Sequence, residues 1–328
     1  MTKPLGWGLL GTSFISGVMV DAIRQEGRSE AVAVAGRDIG RLNDFATQYR
    51  VATTYTDYDA LIQDPNVDIV YIGLPNHLHT DYIIRAARAG KAILCEKSLS
   101  VDLPSTTAAL EAVREAGVFF AEGLMYLNHP LVAELLRQLD SGVIGELKGV
   151  QASYCAAISE FTNPGSKGTL FNLGCYPVSL LHRVMQHRGL LSQQAPEMTG
   201  FKRIGSDGNV VESNVAMRFA SGLHVQLHSA EDYGLRHQFE LLGSKGYLRC
   251  ASNPWLPGQS NQLVMAQYEQ PEQTIEVSAE GDAFLYQVRH VLDAITQGHA
   301  ELPHPAAGLD DSARIMALLS QWHETVND

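Results

Sequence analysis

Two short segments carry residue types whose order could do chemistry. Gly8-Leu9-Leu10-Gly11-Thr12-Ser13-Phe14-Ile15-Ser16 opens the chain, and Ala92-Ile93-Leu94-Cys95-Glu96-Lys97 follows further along. The first reads as a strand, a tight turn and a helix. That layout binds the pyrophosphate of a dinucleotide at a helix N-terminus. The second sets a lysine at the carboxyl end of an apolar strand, where open α/β sheets hold their ligands. A nicotinamide beside a fixed ammonium group would serve hydride transfer to or from a carbonyl or alcohol.

The turn has one glycine of the GxGxxG fingerprint, Gly11. A glycine there allows a sharp strand-to-helix turn. Ser13 places a Cβ where the backbone should approach phosphate, and brings a hydroxyl that can donate to it. Taken alone, a plain βα turn accounts for the motif as well. The cofactor contacts expected here are Gly11, Thr12, Ser13, Phe14 and Ile15. The second strand ends Val34-Ala35-Gly36-Arg37-Asp38. Gly36 occupies the position of the usual ribose-binding acid, and Arg37 follows. This favours the 2′-phosphate of NADP, with NAD as the alternative, and Arg41 could assist. Asp38 reads either as a ribose acid displaced by two positions or as the N-cap of the next helix.

These residues need elements to position them. The chain has 328 residues, 45% hydrophobic and 18% charged, with a net charge of −12 and no basic run. That length suits two domains, expected at 1–124 and 125–328. The charge argues against nucleic acid and anionic membranes as partners. No stretch is apolar for long enough to span a bilayer. Cys95, Cys155, Cys175 and Cys250 form no CxxC and no framework spacing, which reads as reduced thiols in a cytoplasmic protein.

Up to about residue 124, apolar runs alternate with helical stripes. Leu5–Leu10, Ala31–Ala35, Asp68–Leu74, Ala92–Cys95 and Val118–Ala121 read as strands. Several lack polar alternation, as strands buried on both faces do. Gly27, Gly90 and Gly117 stand where helices should end. The pattern predicts an α/β Rossmann domain with a doubly wound parallel sheet. Beyond residue 125 the texture changes. A helix is predicted over Pro130–Asp140, and period-two alternation over Leu147–Ile158 and Val210–Leu248 predicts a large, mostly antiparallel sheet. Helices are expected near Ala283–Thr296 and Ala306–Thr325. The second domain is therefore α+β.

Further segments sharpen the reading. They are Asp64-Pro65-Asn66-Val67-Asp68, Leu74-Pro75-Asn76-His77-Leu78-His79, Ala89-Gly90-Lys91, Met125-Tyr126-Leu127-Asn128-His129-Pro130 and Gly168-Thr169-Leu170-Phe171-Asn172-Leu173-Gly174-Cys175-Tyr176. In this order, and with Glu96-Lys97 between them, the chain resembles the Gfo/Idh/MocA family of oxidoreductases. The resemblance covers nearly the whole length. It implies a nicotinamide cofactor and a sugar, polyol or related carbonyl substrate. It adds Leu74, Pro75, Asn76, His79, Glu96 and Lys97 to the cofactor contacts. Lys97 matches the lysine of the family's Glu-Lys-Pro motif, which sits beside nicotinamide and substrate; Ser98 replaces the proline. The family's Asp-x-Gly-x-His motif reads Asn172-Leu173-Gly174-Cys175-Tyr176. Tyr176 holds the histidine position, as in the branch resembling dihydrodiol dehydrogenase. Asn172 can orient a hydroxyl but cannot take its proton. Acid–base work then falls to Tyr176 with Lys97, since a phenol near an ammonium has its pKa lowered.

The HxH of His77 and His79 has no second motif at ligand spacing, so no metal is expected. His224 and His228 read as a polar strand face that is solvated or faces another subunit. The family commonly pairs subunits there, which implies a homodimer or higher homo-oligomer. The competing reading on the same fold is a non-catalytic nucleotide or sugar sensor, since fold does not fix function.

Overall fold

A computed structural model describes residues 4–326 of the chain. The chain divides into two compact units. One holds the residues up to Met125 together with Phe284–Ala313, and the other holds Tyr126–Ala283 and the residues from Arg314 onward.

The first unit alternates strands and helices as the sequence pattern predicts: β1 (Leu5–Leu10), α1 (Phe14–Glu26), β2 (Ser29–Ala35), α2 (Ile39–Tyr49), β3 (Thr53–Tyr55), α3 (Tyr58–Ile62), β4 (Ile69–Ile72), α4 (His79–Arg88), β5 (Ala92–Glu96), α5 (Leu103–Ala116) and β6 (Phe120–Gly123). The strands form one parallel sheet in the order β3-β2-β1-β4-β5-β6. The last strand lies two residues later than the expected Val118–Ala121. The order reverses between β1 and β4, so the carboxyl ends of these strands make the crevice where such sheets take ligands. Gly27 and Gly117 close α1 and α5 in the left-handed conformation. Two apolar layers sandwich the sheet. Trp7, Leu9, Val34 and Tyr71 face one layer, with Met19, Ile23 and Phe45. Leu10, Ala33, Val70 and Ile72 face the other, with Ile83, Leu110 and Val113.

The second unit begins with α6 (Pro130–Asp140) and β7 (Leu147–Cys155). A π-helical turn, Leu170–Gly174, runs into α7 (Cys175–His187). Then come β8 (Glu197–Ile204), β9 (Val210–Arg218), β10 (His224–Ala230), β11 (Arg236–Gly243), β12 (Gly246–Cys250), β13 (Ser260–Gln267) and β14 (Gln273–Ser278). They form an eight-stranded sheet in the order β14-β13-β12-β11-β7-β10-β9-β8. All neighbours are antiparallel except β7 and β10, which run parallel. Period-two burial is clear in β10. Val225 and Leu227 are buried, while His224 and Gln226 are exposed. The last two helices are α8 (Ala283–Thr296), whose Val288, Val291 and Leu292 complete the apolar layer around Trp7, and α9 (Leu309–Thr325). The start of α9 falls three residues later than the expected Ala306. Leu309 donates its N–H to Glu301 (2.8 Å) and Gly308 donates to Asp311 (3.1 Å), which fixes the entry after Pro305.

Candidate active site

The β1–α1 turn is built for close approach. Gly11 has φ +105°, and a Cβ there would stand 2.8 Å from the Gly73 carbonyl. No other residue fits both constraints without strain. Thr12 is half-buried and packs under Gly36, where an added Cβ would lie 3.0 Å from its Cγ2. Ser13 is the N-cap of α1 by position, yet its hydroxyl makes no cap. It donates to Gly73 O at 3.4 Å and lies 3.3 Å from Ser16 Oγ. The first turn of α1 holds no acidic residue, and Phe14 at its start is 86% exposed. Helix N–H groups left without a side-chain cap, a positive dipole end and a glycine cradle fit a pyrophosphate.

At the end of β2, Arg37 and Arg41 are exposed. Asp38 caps α2, accepting from the Arg41 N–H at 3.1 Å. Of the two readings of Asp38, the cap is the role its geometry displays. The β2 end thus carries two cations and a carboxylate already engaged with a helix end, which suits a 2′-phosphate better than a bare ribose.

The β4 and β5 loops are tied together by His79. Leu74, Pro75 and Asn76 follow β4, and Asn76 is buried. His79 is fully buried at the start of α4, with Nε2 2.7 Å from Leu74 O and Nδ1 3.0 Å from Ser98 O. Burial pushes its pKa down to about 4. A neutral imidazole has one N–H, so one of the two carbonyls receives it. His79 therefore acts on the loops and holds the Lys97–Ser98 segment against the β4 end. The Lys97–Ser98 peptide is cis although Ser98 replaces the proline.

Lys97 emerges half-buried from β5 beside two buried carboxyl groups. Glu96 accepts from the Tyr71 hydroxyl at 2.8 Å. Burial raises its pKa, and the Lys97 charge opposes that rise. Glu122, at the end of β6, accepts from the Leu99 N–H (3.1 Å) and the Ser312 hydroxyl (2.6 Å). Burial pushes Glu122 up to about 7, against the pull of Ser312, Leu99 and the Lys97 charge. A Cβ on Gly123 would lie 3.3 Å from Glu96 Cδ, so this glycine makes room for the carboxyl group. Glu122 is absent from the sequence reading. The available signal is an acid inside the apolar run Phe119–Leu124.

In the second unit, Asn172 lies on the π-helical turn and Tyr176 at the start of α7. The turn is braced from β10: Thr169 Oγ1 and Ser229 Oγ are 2.7 Å apart, and Asn172 Nδ2 donates to Glu231 Oε2 at 2.7 Å. Gly168, at φ +87°, precedes the turn; a Cβ there would meet Val210 O at 2.2 Å. Tyr176 is buried among aromatic rings. The Tyr154 ring stands edge-on at 5.2 Å, Tyr126 is at 5.7 Å and Trp255 at 6.2 Å. The Tyr126 hydroxyl donates to Tyr176 O at 3.1 Å, which fixes the backbone of α7. Burial pushes the neighbouring Tyr154 phenol up to about 12. Elsewhere, His129 accepts from the Leu131 N–H at 3.1 Å as the cap of α6. Among the described residues no group of three or more His, Cys, Asp or Glu is arranged to hold a metal, and no helix is long and apolar enough to cross a membrane.

Comparison with known proteins gives the family. Residues 5–124 match the family described as oxidoreductase family, NAD-binding Rossmann fold, and residues 132–249 match the GFO/IDH/MocA C-terminal domain. An uncharacterized oxidoreductase of Rhizobium meliloti is 30% identical over 76% of this chain and 75% of its own length. The trans-1,2-dihydrobenzene-1,2-diol dehydrogenase of Xenopus tropicalis is 24% identical, with 96% of both chains covered. A 3-ketoreductase from Actinomadura kijaniata, solved with NADP and TDP-benzene, has a TM-score of 0.86 at 26% identity, covering 99% of this chain and 98% of its own. With both family domains matched, this chain belongs to the GFO/IDH/MocA family of oxidoreductases.

Proposed function

We propose that the protein is an NADP-dependent dehydrogenase or reductase acting on CH–OH groups of a sugar, polyol or related compound. The observation that carries this is Lys97, at the carboxyl end of a parallel strand beside the buried Glu96 and Glu122. Bound NADP supplies the hydride acceptor or donor at its nicotinamide ring. Gly11, Thr12, Ser13, Phe14 and Ile15 would hold the pyrophosphate through backbone N–H groups, and Arg37 and Arg41 the 2′-phosphate. Leu74, Pro75 and Asn76 would line the ring's approach, with Glu96 and Lys97 beyond. The NADP reading draws support from the 3-ketoreductase solved with that cofactor.

Lys97 and Tyr176 would meet the substrate oxygen. The ammonium stabilises negative charge on that oxygen, and the phenol exchanges a proton with it. Asn172 orients a hydroxyl. In this reading, residues 1–124 form the cofactor domain, and residues 125–328 bind substrate and pair subunits. The open, polar face of the second sheet, around Gln151, Gln226 and His228, is the surface proposed for a homodimer; it carries a depression of about 390 Å³. The test is NADP⁺ reduction and NADPH oxidation with sugars, trans-1,2-diols and hydroxy ketones. The absence of cofactor-dependent turnover across that panel would overturn the reading.

A further inference from the structure

A cavity of about 310 Å³ lies in the second unit, between α7, α9 and the segment that links α7 to β8. That is the size of a small-ligand pocket. Its walls are largely apolar. Met185 comes from α7, Leu191 and Pro196 from the link, Phe219 from the end of β9, and Ala317 and Leu318 from α9. The link is tied down at both ends. Leu190 donates its N–H to Met185 O at 2.8 Å, and Pro196 O accepts from Gln321 Nε2, also at 2.8 Å. The cavity is therefore bounded by anchored chain on each side.

One wall carries a cation. Arg314, on α9, is half-buried. A guanidinium offers five N–H donors and no acceptor. Among the described residues Arg314 makes no hydrogen bond and no ion pair. The acid one helical turn before it, Asp310, pairs with Arg114 at 2.6 Å instead. Half-burial strips water from a charge, and a counter-charge or polar partner is what offsets that cost. No described side chain supplies one, although the chain has 36 acidic residues to 24 basic ones. The role falls to an anion from solution. Gln193 and Gln194, exposed at the mouth, carry amides that can donate to the same anion.

We propose that this cavity binds a small monocarboxylate with an apolar body. The carboxylate meets the Arg314 guanidinium, and the chain or ring lies against Met185, Phe219 and Leu318. A planar carboxylate matches the fork of a guanidinium, and a single negative charge balances a single cation. A phosphate dianion would bring a second charge between apolar walls. None of these residues is among those assigned to cofactor or substrate, so the site is independent of the proposed reaction.

The test uses 3-phenylpropanoate and 3-phenylpropanol, which share a body and differ in the head group, followed by ligand-observed NMR titration. The native protein should bind the acid about tenfold or more tightly than the alcohol, the worth of a charge-assisted contact. Arg314→Gln should bring the acid to the level of the alcohol and leave the alcohol unchanged. Its Tm without ligand should stay near native, since Arg314 has no partner to lose. Ala317→Phe fills the cavity and should weaken both probes. Equal affinities for the two probes in the native protein, or binding of neither at millimolar concentration, would overturn the proposal. So would an acid that binds Arg314→Gln as tightly as the native protein, which would put it on another cation such as Arg37. Sedimentation covers a further occupant. If Arg314→Gln or Ala317→Phe lowers the oligomeric state, a second copy of the chain fills the cavity and the proposal falls.

Discussion

The two units place their chemical groups by different means. In the first, Gly11, Arg37, Leu74 and Lys97 all stand at carboxyl ends of parallel strands, where each βα crossover delivers a loop to the same edge. The sheet is buried on both faces, so its strand ends are rigid. In the second, Asn172 and Tyr176 ride on a helical turn, and their positions depend on side-chain braces from β10 and an aromatic cluster. In the first device the strand backbone does most of the placing, with the His79 ring tying the Lys97–Ser98 segment to the β4 end. The second is a set of pairwise contacts, each of which can fail alone.

The largest expected break in this comparison is Lys97→Met. It keeps much of the side-chain length and removes the charge. If the ammonium stabilises negative charge on a substrate oxygen, its loss should cost roughly 2.7–4 kcal/mol, about a hundred- to a thousandfold in turnover. NADPH binding should stay near native, since the scaffold is intact. Tyr176→Phe should lose less if Lys97 carries the larger electrostatic share. Steady-state turnover beside a nicotinamide-fluorescence titration decides it, and native turnover in Lys97→Met refutes the mechanism.

The next effect is on stability. Glu122 titrates at about 7 in the folded protein, above its ordinary value of 4.5. A raised carboxyl group contributes stability that is fully present below its unfolded value and is lost as pH rises through the folded one. The loss approaches about 1.4 kcal/mol for each pH unit in between. Glu122→Gln keeps an oxygen for the Leu99 N–H and turns an NH₂ toward Ser312. Between pH 4.5 and 7.5 the native Tm should therefore fall relative to that of Glu122→Gln. Parallel Tm curves for the two proteins would show that Glu122 is already ionised at low pH.

How much was legible from sequence follows the same division. Gly11 and Lys97 are readable because continuous apolar runs with turn residues after them mark buried parallel strands, and strand ends are where such sheets work. Glu122 hides inside such a run, where an acid changes no period. The family resemblance puts His79 among the cofactor contacts; that its ring bridges Leu74 O and Ser98 O is a long-range feature no spacing reveals. In the second unit, Asn172 is legible only through family resemblance. Its partner Glu231 is 59 residues away, just past the end of β10, a long-range contact that no spacing reveals. The edge strands β8 and β14 bury few of their residues, so their sequence gives little sign of them.

Cofactor choice tests the strand-end device at β2. With Asp38 engaged as the α2 cap, Arg37 is the group expected to separate NADPH from NADH. A charge-assisted contact is worth roughly 1.5–3 kcal/mol, about tenfold or more in affinity. Arg37→Ala should remove most of the preference while leaving NADH binding unchanged. Equal affinities of the native protein for the two cofactors would refute the assignment.

The smallest effect sharpens the comparison most, because it asks whether backbone alone does the placing at the β1–α1 turn. Ser13 stands where the fingerprint has glycine, and its hydroxyl leans on Gly73 O at 3.4 Å, a long contact. If phosphate is held by backbone N–H groups at the head of α1, the side chain matters through its bulk. Ser13→Gly should then bind NADPH as well as the native protein or slightly better. It removes a Cβ, and the long Ser13–Gly73 contact adds little at an exposed position. Ser13→Val should bind a few-fold more weakly, because a branched side chain fills the approach and cannot donate. Ser13 is exposed and its contacts to Ser16 Oγ and Gly73 O are long, so Tm should stay close to native and the titration reads binding. If Ser13→Gly weakens binding as much as Ser13→Val does, the hydroxyl itself holds the phosphate, and the β1–α1 turn also relies on a side-chain contact.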